Sequence, residues 1–442
     1  MQIVSRVASA LQTVLGTVAN RAAQDSGTVQ RKRKFCGATL VQTFVLGFLH
    51  KPQARPEDLA MTARQLGVEV TPRAIEKRYT PALTACLRQV LEQALEQVVA
   101  AGSRTIPLLR KFTAVRIGDS TTIGLPDELA EQFPGCGGSS GSGKAAMKLQ
   151  VEMDQRDGSL SKIQIQAGRD SDAHSELMRD PPPAGSLSMY DLGYFSVPRF
   201  CLIAAAAAYW ISRLHTQTKV LDADGAPLDL LELLQGYTGA EPFERTVLLS
   251  QVERLPCRLI ALRAPQDVVA QRRRKAYRKA QKSGHTPSDR HLAWLSFTIF
   301  VTNCDAEMLT WKEVVVLYRT RWQIELLFKL WKSHNLLATH SDVPPEHQMI
   351  QLYARMIGVI LQHWILLTGV WTDAKHSLWK AARSLRDHLV LLLPNLTDFH
   401  RLCQTLEWLA HLMRSQASMN KRKKRPGTFQ LLNNPELLEY EF

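Results

Sequence analysis

The stretch of sequence that decides the fold lies between residues 112 and 214 and contains five strand-like runs: FTAVRIGD (112–119), MKLQVEM (147–153), LSKIQIQ (160–166), SLSMYD (186–191) and YWISRL (209–214). Their β-branched residues and their alternation of apolar and polar positions are typical of β-strands. The residues DQRDG between the second and third runs predict a hairpin turn. Five strands followed by long helical segments predict an α/β or α+β domain with a mixed sheet.

The residues before this stretch have a helical pattern. Leu87, Leu91 and Leu95 recur at helical spacing within residues 1–105, and strand-like alternation is absent there. Between Asp58 and Leu83 the sequence predicts a short helix, a turn and a second helix that Thr71 caps. Such a pair resembles a helix-turn-helix reader of DNA. An ordinary helical hairpin explains the same pattern equally well.

The residues after the five runs first resume a β pattern and then become helical. Further strand candidates occur between residues 216 and 308: RTVLLSQVE, CRLIALRAP and WLSFTIFVTN. From Trp311 the chain has helical spacing almost to residue 421.

Length and composition are those of an ordinary globular protein. The 442 residues are 45% hydrophobic and 22% charged, which excludes a disulfide-stapled mini-protein and wholesale disorder and leaves room for two or three domains. Lys and Arg number 55 against 41 Asp and Glu, for a net charge of +14. This excess indicates a polyanionic partner, either nucleic acid or a membrane surface.

The positive charge is concentrated in three runs, at residues 31–34 (RKRK), 272–290 and 421–425 (KRKKR). Together they account for the whole excess, so the remaining chain is close to neutral. Taken alone, any one of these runs is equally well explained as a solvated surface or a loose tail.

Cysteine usage and hydropathy bear on the cellular compartment. The chain has 7 Cys and no CxxC pair, which argues against a zinc module and a disulfide framework and fits a reducing cytosol. The longest uninterrupted apolar stretch, Phe200–Ile211, is shorter than the roughly 20 residues that cross a bilayer. We therefore expect a cytoplasmic protein without a membrane partner.

The most informative stretch is LYRTRWQIELLFKLWKSH, residues 317–334. It carries four polar residues at helical spacing: Tyr318, Arg321, Glu325 and Lys332. At 3.6 residues per turn they share one face of a single helix. Ion pairing on a solvated face, such as Arg321 with Glu325, would also explain the pattern.

Two further carboxylates precede this helix at the ends of predicted strands, Asp119 and Asp191. Two strand-end carboxylates and Glu325 on a later helix can hold two divalent ions for in-line attack on a phosphodiester. Three converging carboxylates repel one another and need cations. Magnesium suits them, because it is a hard ion that prefers oxygen ligands.

The motifs D-S-T at Asp119, D-x-G-Y at Asp191 and Y-(2)-R-(3)-E-(6)-K from Tyr318 to Lys332 resemble the signature of bacterial insertion-sequence transposases of the DDE type, in the IS-four family. The resemblance extends from the N-terminal helical part to about residue 400. It implies a ribonuclease H-like mixed-sheet catalytic core with a β-rich insertion domain and an N-terminal helical domain.

The resemblance also implies roles for individual residues. Asp119, Asp191 and Glu325 would be the catalytic residues and would ligate two Mg²⁺ ions, for which Mn²⁺ can substitute. One ion would activate the attacking water or 3′-hydroxyl, and the other would stabilise the leaving oxygen. Tyr318, Arg321 and Lys332 would grip phosphates near the transposon end.

Further DNA contacts are expected within the insertion. The basic run that includes Arg272, Arg273 and Arg274 is the one we expect to grip the transposon end. Similar enzymes hold a flipped base against an aromatic ring, and either Trp294 or Phe297 can serve here.

By this resemblance the protein is expected to cut its element from double-stranded DNA at terminal inverted repeats, commonly through a DNA hairpin, and to join the 3′ ends to target DNA. It would act as a homodimer in a paired-end complex, in a bacterial cytoplasm at the nucleoid. Two alternatives stay open: a ribonuclease H-like nuclease that does not join ends, and an inactive, DNA-binding repressor relative.

The expected domains follow from these assignments. They are an N-terminal helical DNA-binding domain (1–105), the first part of the core (106–215), the insertion domain (216–308), the second part of the core (309–400) and a C-terminal helical segment with a basic tail (401–442).

Overall fold

The computed structural model describes residues 2–30, 34–137, 143–338, 343–373, 375–419 and 426–439. Within them the α-helices are α1 (Gln2–Gln12), α2 (Ala19–Asp25), α3 (Gly37–His50), α4 (Pro56–Gln65), α5 (Pro72–Glu76), α6 (Pro81–Glu96), α7 (Pro107–Arg110), α8 (Val197–Ala205), α9 (Leu230–Gly236), α10 (Gln266–Lys282), α11 (Asp289–Trp294), α12 (Trp311–Arg319), α13 (Trp322–Lys329), α14 (Pro345–Gly369), α15 (Leu378–His388), α16 (Phe399–Gln416) and α17 (Thr428–Asn433).

The β-strands are β1 (Val115–Leu125), β2 (Ala145–Asp154), β3 (Leu160–Ala167), β4 (Leu187–Tyr190), β5 (Tyr209–Arg213), β6 (Val220–Leu221), β7 (Phe243–Leu249), β8 (Leu255–Arg263) and β9 (Phe297–Thr302). The five strand-like runs between residues 112 and 214 therefore form β1 to β5. The prediction of a mixed α/β fold with a mixed sheet is confirmed.

The contacts of the chain divide it into two compact units. Unit 1 comprises Met1–Thr105, Ser120–Asp170 and Gln323–Lys421, and unit 2 comprises Ile106–Asp119, Ser171–Trp322 and Arg422–Phe442. Strand β1 and helix α13 both continue across a boundary between the units. The five sequence-derived domains do not coincide with these units and stay a prediction.

Unit 1 is built around α14, which packs against α3, α6 and α16. Among the described residues, α14 is the one helix with the length and apolar composition to cross a membrane, and 94% of its most apolar window is buried. That burial identifies α14 as a core helix. Polar residues within it, such as Gln362 and His363, interrupt its apolar sequence and are themselves buried.

The β2–β3 hairpin also belongs to unit 1 and is antiparallel, as predicted. Its turn depends on Gly158, which has a φ of +75°. A Cβ at this position would lie 2.5 Å from the ring of Trp371. The turn therefore requires glycine for its backbone conformation and for its close packing.

Unit 2 contains the strand order β1-β4-β5-β9-β8-β7-β6. β1 pairs with β4 and β4 with β5 in parallel, whereas β9 joins β5 antiparallel and begins an antiparallel series. Beneath it lies an apolar core in which the rings of Phe200 and Trp210 stack with centroids 4.2 Å apart. The β segments after residue 216 thus extend the same sheet through β9.

The helix predicted over residues 317–334 is not a single helix, so this prediction is wrong. α12 begins with a capping box between Thr310 and Glu313 and ends at Arg319, and α13 begins at Trp322. Between them, the buried Thr320 hydroxyl donates to the Leu317 carbonyl (2.6 Å) and satisfies one of the last carbonyls of α12.

The predicted second helix of the helix-turn-helix is shorter than expected. Thr71 caps it as predicted, with its hydroxyl oxygen accepting from the Ala74 amide (3.3 Å), but α5 ends at Glu76. Lys77 and Arg78 therefore follow the helix. Pro81 starts the next helix, because proline fits the first turn, where its missing N–H needs no partner.

Two of the three basic runs fall largely outside the described residues. The run at 421–425 lies wholly outside them, as do Arg31, Lys32 and Arg33. Lys34 is described, and its ammonium group donates to the Glu69 carbonyl (2.9 Å). The third run, which begins at Arg272, forms much of α10 and the residues after it.

Candidate active site

The register between β1 and β4 determines where the first two candidate carboxylates lie. Gly118 pairs with Tyr190 across these parallel strands, and Asp119 and Asp191 are the residues that follow. Asp191 follows the end of β4 as predicted, but the predicted strand end at Asp119 is wrong, because β1 continues to Leu125. A Cβ on residue 118 would lie 2.3 Å from the Tyr190 ring. Glycine at this position therefore lets the ring cover β1 at the point where the two strands present the aspartates.

A single guanidinium group contacts both aspartates. Arg321 Nη1 lies 2.8 Å from Asp119 Oδ2, and Arg321 Nη2 lies 3.5 Å from Asp191 Oδ1. The side chains of Arg321 and Asp119 are 14% and 17% exposed, and that of Asp191 is 49% exposed. Arg321 lies in the break between α12 and α13, and its side chain reaches Asp119 on β1 and Asp191 after β4.

Tyr318 is 8% exposed and supports β4 from the side of α12. Its hydroxyl donates to the Tyr190 carbonyl (3.3 Å), one residue before Asp191, and its ring packs against Phe300 with centroids 5.3 Å apart. Burial raises the pKa of Tyr318, while the charge of Arg321 acts to lower it. The Tyr318 hydroxyl proton is therefore used within the protein, and the expected contact of Tyr318 with DNA phosphate stays a prediction.

Glu325 and Lys332 belong to unit 1. Glu325 lies half-buried on α13, and Lys332 lies half-buried in the π-helical segment Leu330–His334 that continues α13. Burial lowers the pKa of Lys332, because the charged ammonium is partly removed from water.

The donor set of unit 2 has the chemistry for a hard divalent ion. Asp119 and Asp191 supply carboxylate oxygens, the ligands that Mg²⁺ prefers, and together they already attract one cationic group. Among the described residues, no group of three or more His, Cys, Asp or Glu side chains is arranged to hold a metal ion. The two aspartates fit the expected ions.

The three arginines singled out in the basic run differ in their surroundings. Arg272 donates to the carbonyls of Leu295 (3.1 Å) and Phe297 (3.0 Å) and to the Thr298 hydroxyl (2.8 Å). Arg273 and Arg274 are exposed on the same helix. Arg272 thus fastens α10 to the start of β9, and Arg273 adds a longer hydrogen bond to the Ser296 hydroxyl (3.5 Å).

The two aromatic candidates for base stacking also differ in their surroundings. Phe297 begins β9, is 8% exposed and belongs to the apolar core of unit 2. Trp294 ends α11 and lines an open cavity of about 420 Å³ together with Lys219 and Arg290. Of the two rings, only that of Trp294 borders a cavity large enough for a planar ligand group.

Sequence reasoning did not single out Gly118, Tyr190 or Lys219. The first two carry a local signal, because each directly precedes a candidate aspartate. Lys219 has none: its place beside Trp294 depends on contacts between distant segments.

The chain matches the family described as "Transposase DDE domain" over residues 110–357, which include β1, β4, Arg321 and Glu325. It belongs to this family of DDE transposases. It is 25% identical over 440 residues to the transposase for insertion sequence element IS231F of Bacillus thuringiensis subsp. israelensis, covering 93% of this chain and 91% of the relative. The predictions of an insertion-sequence DDE transposase and of an enzyme of DNA cleavage and strand transfer are confirmed.

Other relatives give the same result. The transposase for IS231E of Bacillus thuringiensis subsp. finitimus is 24% identical over 435 residues, covering 91% of this chain and 90% of the relative. The transposase for IS1151 of Clostridium perfringens is 25% identical over 370 residues, covering 79% and 78% of the two chains. The similarity to these transposases therefore extends well beyond the DDE domain.

Proposed function

We propose that this transposase excises its insertion sequence from double-stranded DNA and inserts it elsewhere by a cut-and-paste route. The observation that carries the proposal is the contact of Arg321 with both Asp119 and Asp191, because two carboxylates from neighbouring strands are directed at one cationic group. The substrates would be the terminal inverted repeats of the element and the target DNA.

We propose a ribonuclease H-like catalytic core. The antiparallel β2–β3 hairpin and the parallel pairs β1–β4 and β4–β5 support this assignment. The position of Asp191 directly after β4 supports it further, since ligands of α/β sheets bind at the carboxyl ends of strands. Asp119 lies within β1, one residue after the last pair of β1 with β4.

Asp119, Asp191 and Glu325 are proposed as the ligands of two Mg²⁺ ions, which Mn²⁺ can replace. When bound, such ions lower the pKa of a coordinated water and neutralise charge on the phosphodiester. The residues of this chain place the carboxylates: Gly118 permits the close strand packing, and Tyr318 holds the backbone before Asp191.

DNA contacts are proposed for the exposed or half-buried cations. Arg321 suits bidentate binding of a phosphate, and Lys332 acts as a point charge. On α10 the exposed Arg273 and Arg274 are assigned to the transposon end. Arg272 and Tyr318 are assigned supporting roles, because their polar groups already serve internal hydrogen bonds.

Trp294 is proposed as the ring that stacks on a flipped base. Its position beside a cavity that Lys219 also lines supports this choice, since a cation beside the ring can attract the DNA backbone. Arg290 lines the cavity too, but its guanidinium group is paired with Asp229 (3.1 Å). We further propose a homodimer as the paired-end complex and action at the nucleoid in the cytoplasm.

The test is Glu325→Gln in the full chain, assayed with a duplex carrying the element's end. We expect loss of Mg²⁺-dependent cleavage and strand transfer with little change in binding, because the amide cannot supply the carboxylate's charge. Glu407→Gln, at an exposed position of α16 in the same unit, is the matched control.

Equal loss of binding and cleavage in Glu325→Gln would show that Glu325 is structural and would contradict the assignment. Cleavage without joining by the wild-type protein would favour a nuclease, and binding without cleavage would favour a repressor.

A further inference from the structure

Arg321 is the cation that two candidate metal ligands share. Each of its two terminal nitrogens contacts a different carboxylate: Nη1 lies 2.8 Å from Asp119, and Nη2 lies 3.5 Å from Asp191. A guanidinium group spreads its donors over a rigid plane and can therefore bridge two anions in a way that an ammonium cannot. Carboxylates that attract one cation also attract a divalent ion, so the two cations would bind at the same oxygens.

The backbone that carries Arg321 is held, whereas its side chain can exchange partners. The Arg321 amide donates to the Tyr318 carbonyl (3.1 Å), and the buried Thr320 anchors the turn through Leu317. Asp191, by contrast, is half-exposed, so one end of the bridge is open to solvent. An exchange of the guanidinium group between partners would begin at this open end, at the longer of the two contacts.

We propose that Arg321 and divalent cations compete for Asp119 and Asp191, and that a DNA phosphate relieves the competition by drawing Arg321 away. This inference rests on the proposed function, since it takes both aspartates as metal ligands. In the free protein Arg321 binds the carboxylates, and in the DNA complex it binds a phosphate instead. Metal loading is thereby coupled to DNA binding.

The coupling has a thermodynamic consequence. If DNA raises the affinity for the metal by removing Arg321, then the metal raises the affinity for DNA by the same factor, because the two binding equilibria share one cycle. A phosphate is a suitable competitor for the guanidinium group, since charge-assisted bidentate bonds with Arg are among the strong ones in proteins.

The test is Mn²⁺ binding, measured by titration calorimetry or by the electron paramagnetic resonance of free Mn²⁺, with the full chain and without DNA. We expect Arg321→Gln to bind Mn²⁺ about tenfold or more tightly than the wild type, because it removes the competing charge. Arg319→Gln, at an exposed position two residues earlier, is the matched control and should leave the affinity unchanged.

The second arm adds a short duplex DNA. Duplex DNA should raise the Mn²⁺ affinity of the wild type by a factor similar to that of the Arg321→Gln substitution. It should raise the Mn²⁺ affinity of Arg321→Gln much less. Circular dichroism and thermal unfolding establish that the variants are folded.

The outcomes separate the inference from the proposed function. If Asp119→Asn abolishes Mn²⁺ binding but Arg321→Gln binds as the wild type does, the competition is overturned and the metal assignment stands. If Mn²⁺ binding is the same in Asp119→Asn and the wild type, the metal assignment fails and the inference fails with it.

Discussion

Gly118 on β1 pairs with Tyr190 on β4, and the residue after each is a candidate catalytic aspartate. The strands are parallel, so a single register places both aspartates just after the last pair between β1 and β4. The absence of a side chain on Gly118 lets the Tyr190 ring lie against β1, where a Cβ would be 2.3 Å from the ring. Tyr318 then fastens the Tyr190 carbonyl from α12.

Gly118→Ala tests this packing. The added methyl group must displace the buried ring, so we expect a loss of about 1–3 kcal/mol in the free energy of unfolding, typical of overpacking. Because Gly118 and Tyr190 directly precede the two aspartates, a shift of either backbone would move the carboxylates, and cleavage should fall by more than the folded fraction does. Gly236→Ala in α9, where a Cβ meets no atom within 4 Å, should leave both unchanged. Equal behaviour of the two variants would contradict the packing argument.

Arg272→Ala and Arg274→Ala should affect different properties, although both remove one charge from α10: the first should lower stability and the second should weaken DNA binding. Arg272 donates to two backbone carbonyls and one hydroxyl, so its loss should lower the free energy of unfolding by about 1–3 kcal/mol. Arg274 is exposed, so its loss should leave stability unchanged and reduce the salt dependence of DNA binding by about one counterion. Chemical denaturation and a salt series of binding titrations measure the two effects. A smaller salt slope in Arg272→Ala alone would reverse the assignment.

Replacing each aromatic candidate with leucine separates stacking from core packing. Phe297→Leu keeps an apolar core residue, so it should cost less than about 1.5 kcal/mol in stability and leave binding of the element's end unchanged. Trp294→Leu removes the ring beside the open cavity and should weaken end binding by about 1–3 kcal/mol, the range for base stacking on an aromatic ring. Binding titrations with end-bearing duplex measure this difference. Weakened binding in the Phe297 variant alone would identify Phe297 as the stacking residue.

His363 gives unit 1 a pH dependence. Its imidazole is buried in α14, with Nε2 donating to the Gly158 carbonyl (2.7 Å), and burial lowers the pKa of His363 to about 4. The unfolded chain takes up this proton near its ordinary pKa of 6.5, so it binds more protons than the folded chain between these values. The stabilisation is therefore complete above pH 6.5 and is lost as the pH falls towards 4, by about 3 kcal/mol in all.

His363→Gln keeps an amide donor for Gly158 and removes the titration. The difference in free energy of unfolding between wild type and variant, measured by denaturation at several pH values, should therefore change steadily between pH 6.5 and about 4. A difference that is constant with pH would contradict the assignment to His363.

Much of the fold and of the site could be predicted from local sequence. The β2–β3 hairpin was predictable because alternation and turn residues are properties of a few neighbouring positions. The prediction of a single helix over residues 317–334 was wrong, although most of these residues are helical. The spacing of polar residues does not reveal the break that the Thr320 hydroxyl stabilises. The choice between Trp294 and Phe297 could not be made at all, because both rings lie within one short segment and differ only in what packs around them.

The sequence by itself determined the family and indicated the candidate carboxylates, because the order and spacing of Asp119, Asp191 and Glu325 are properties of the chain alone. Only the tertiary structure decided the partners of these side chains. Arg321 meets Asp119 across 202 residues of sequence, and Arg272 uses its charge on the start of β9. The reason is physical: local conformation depends on neighbouring residues, whereas the partner of a charged side chain is set by distant segments that folding brings within hydrogen-bond distance.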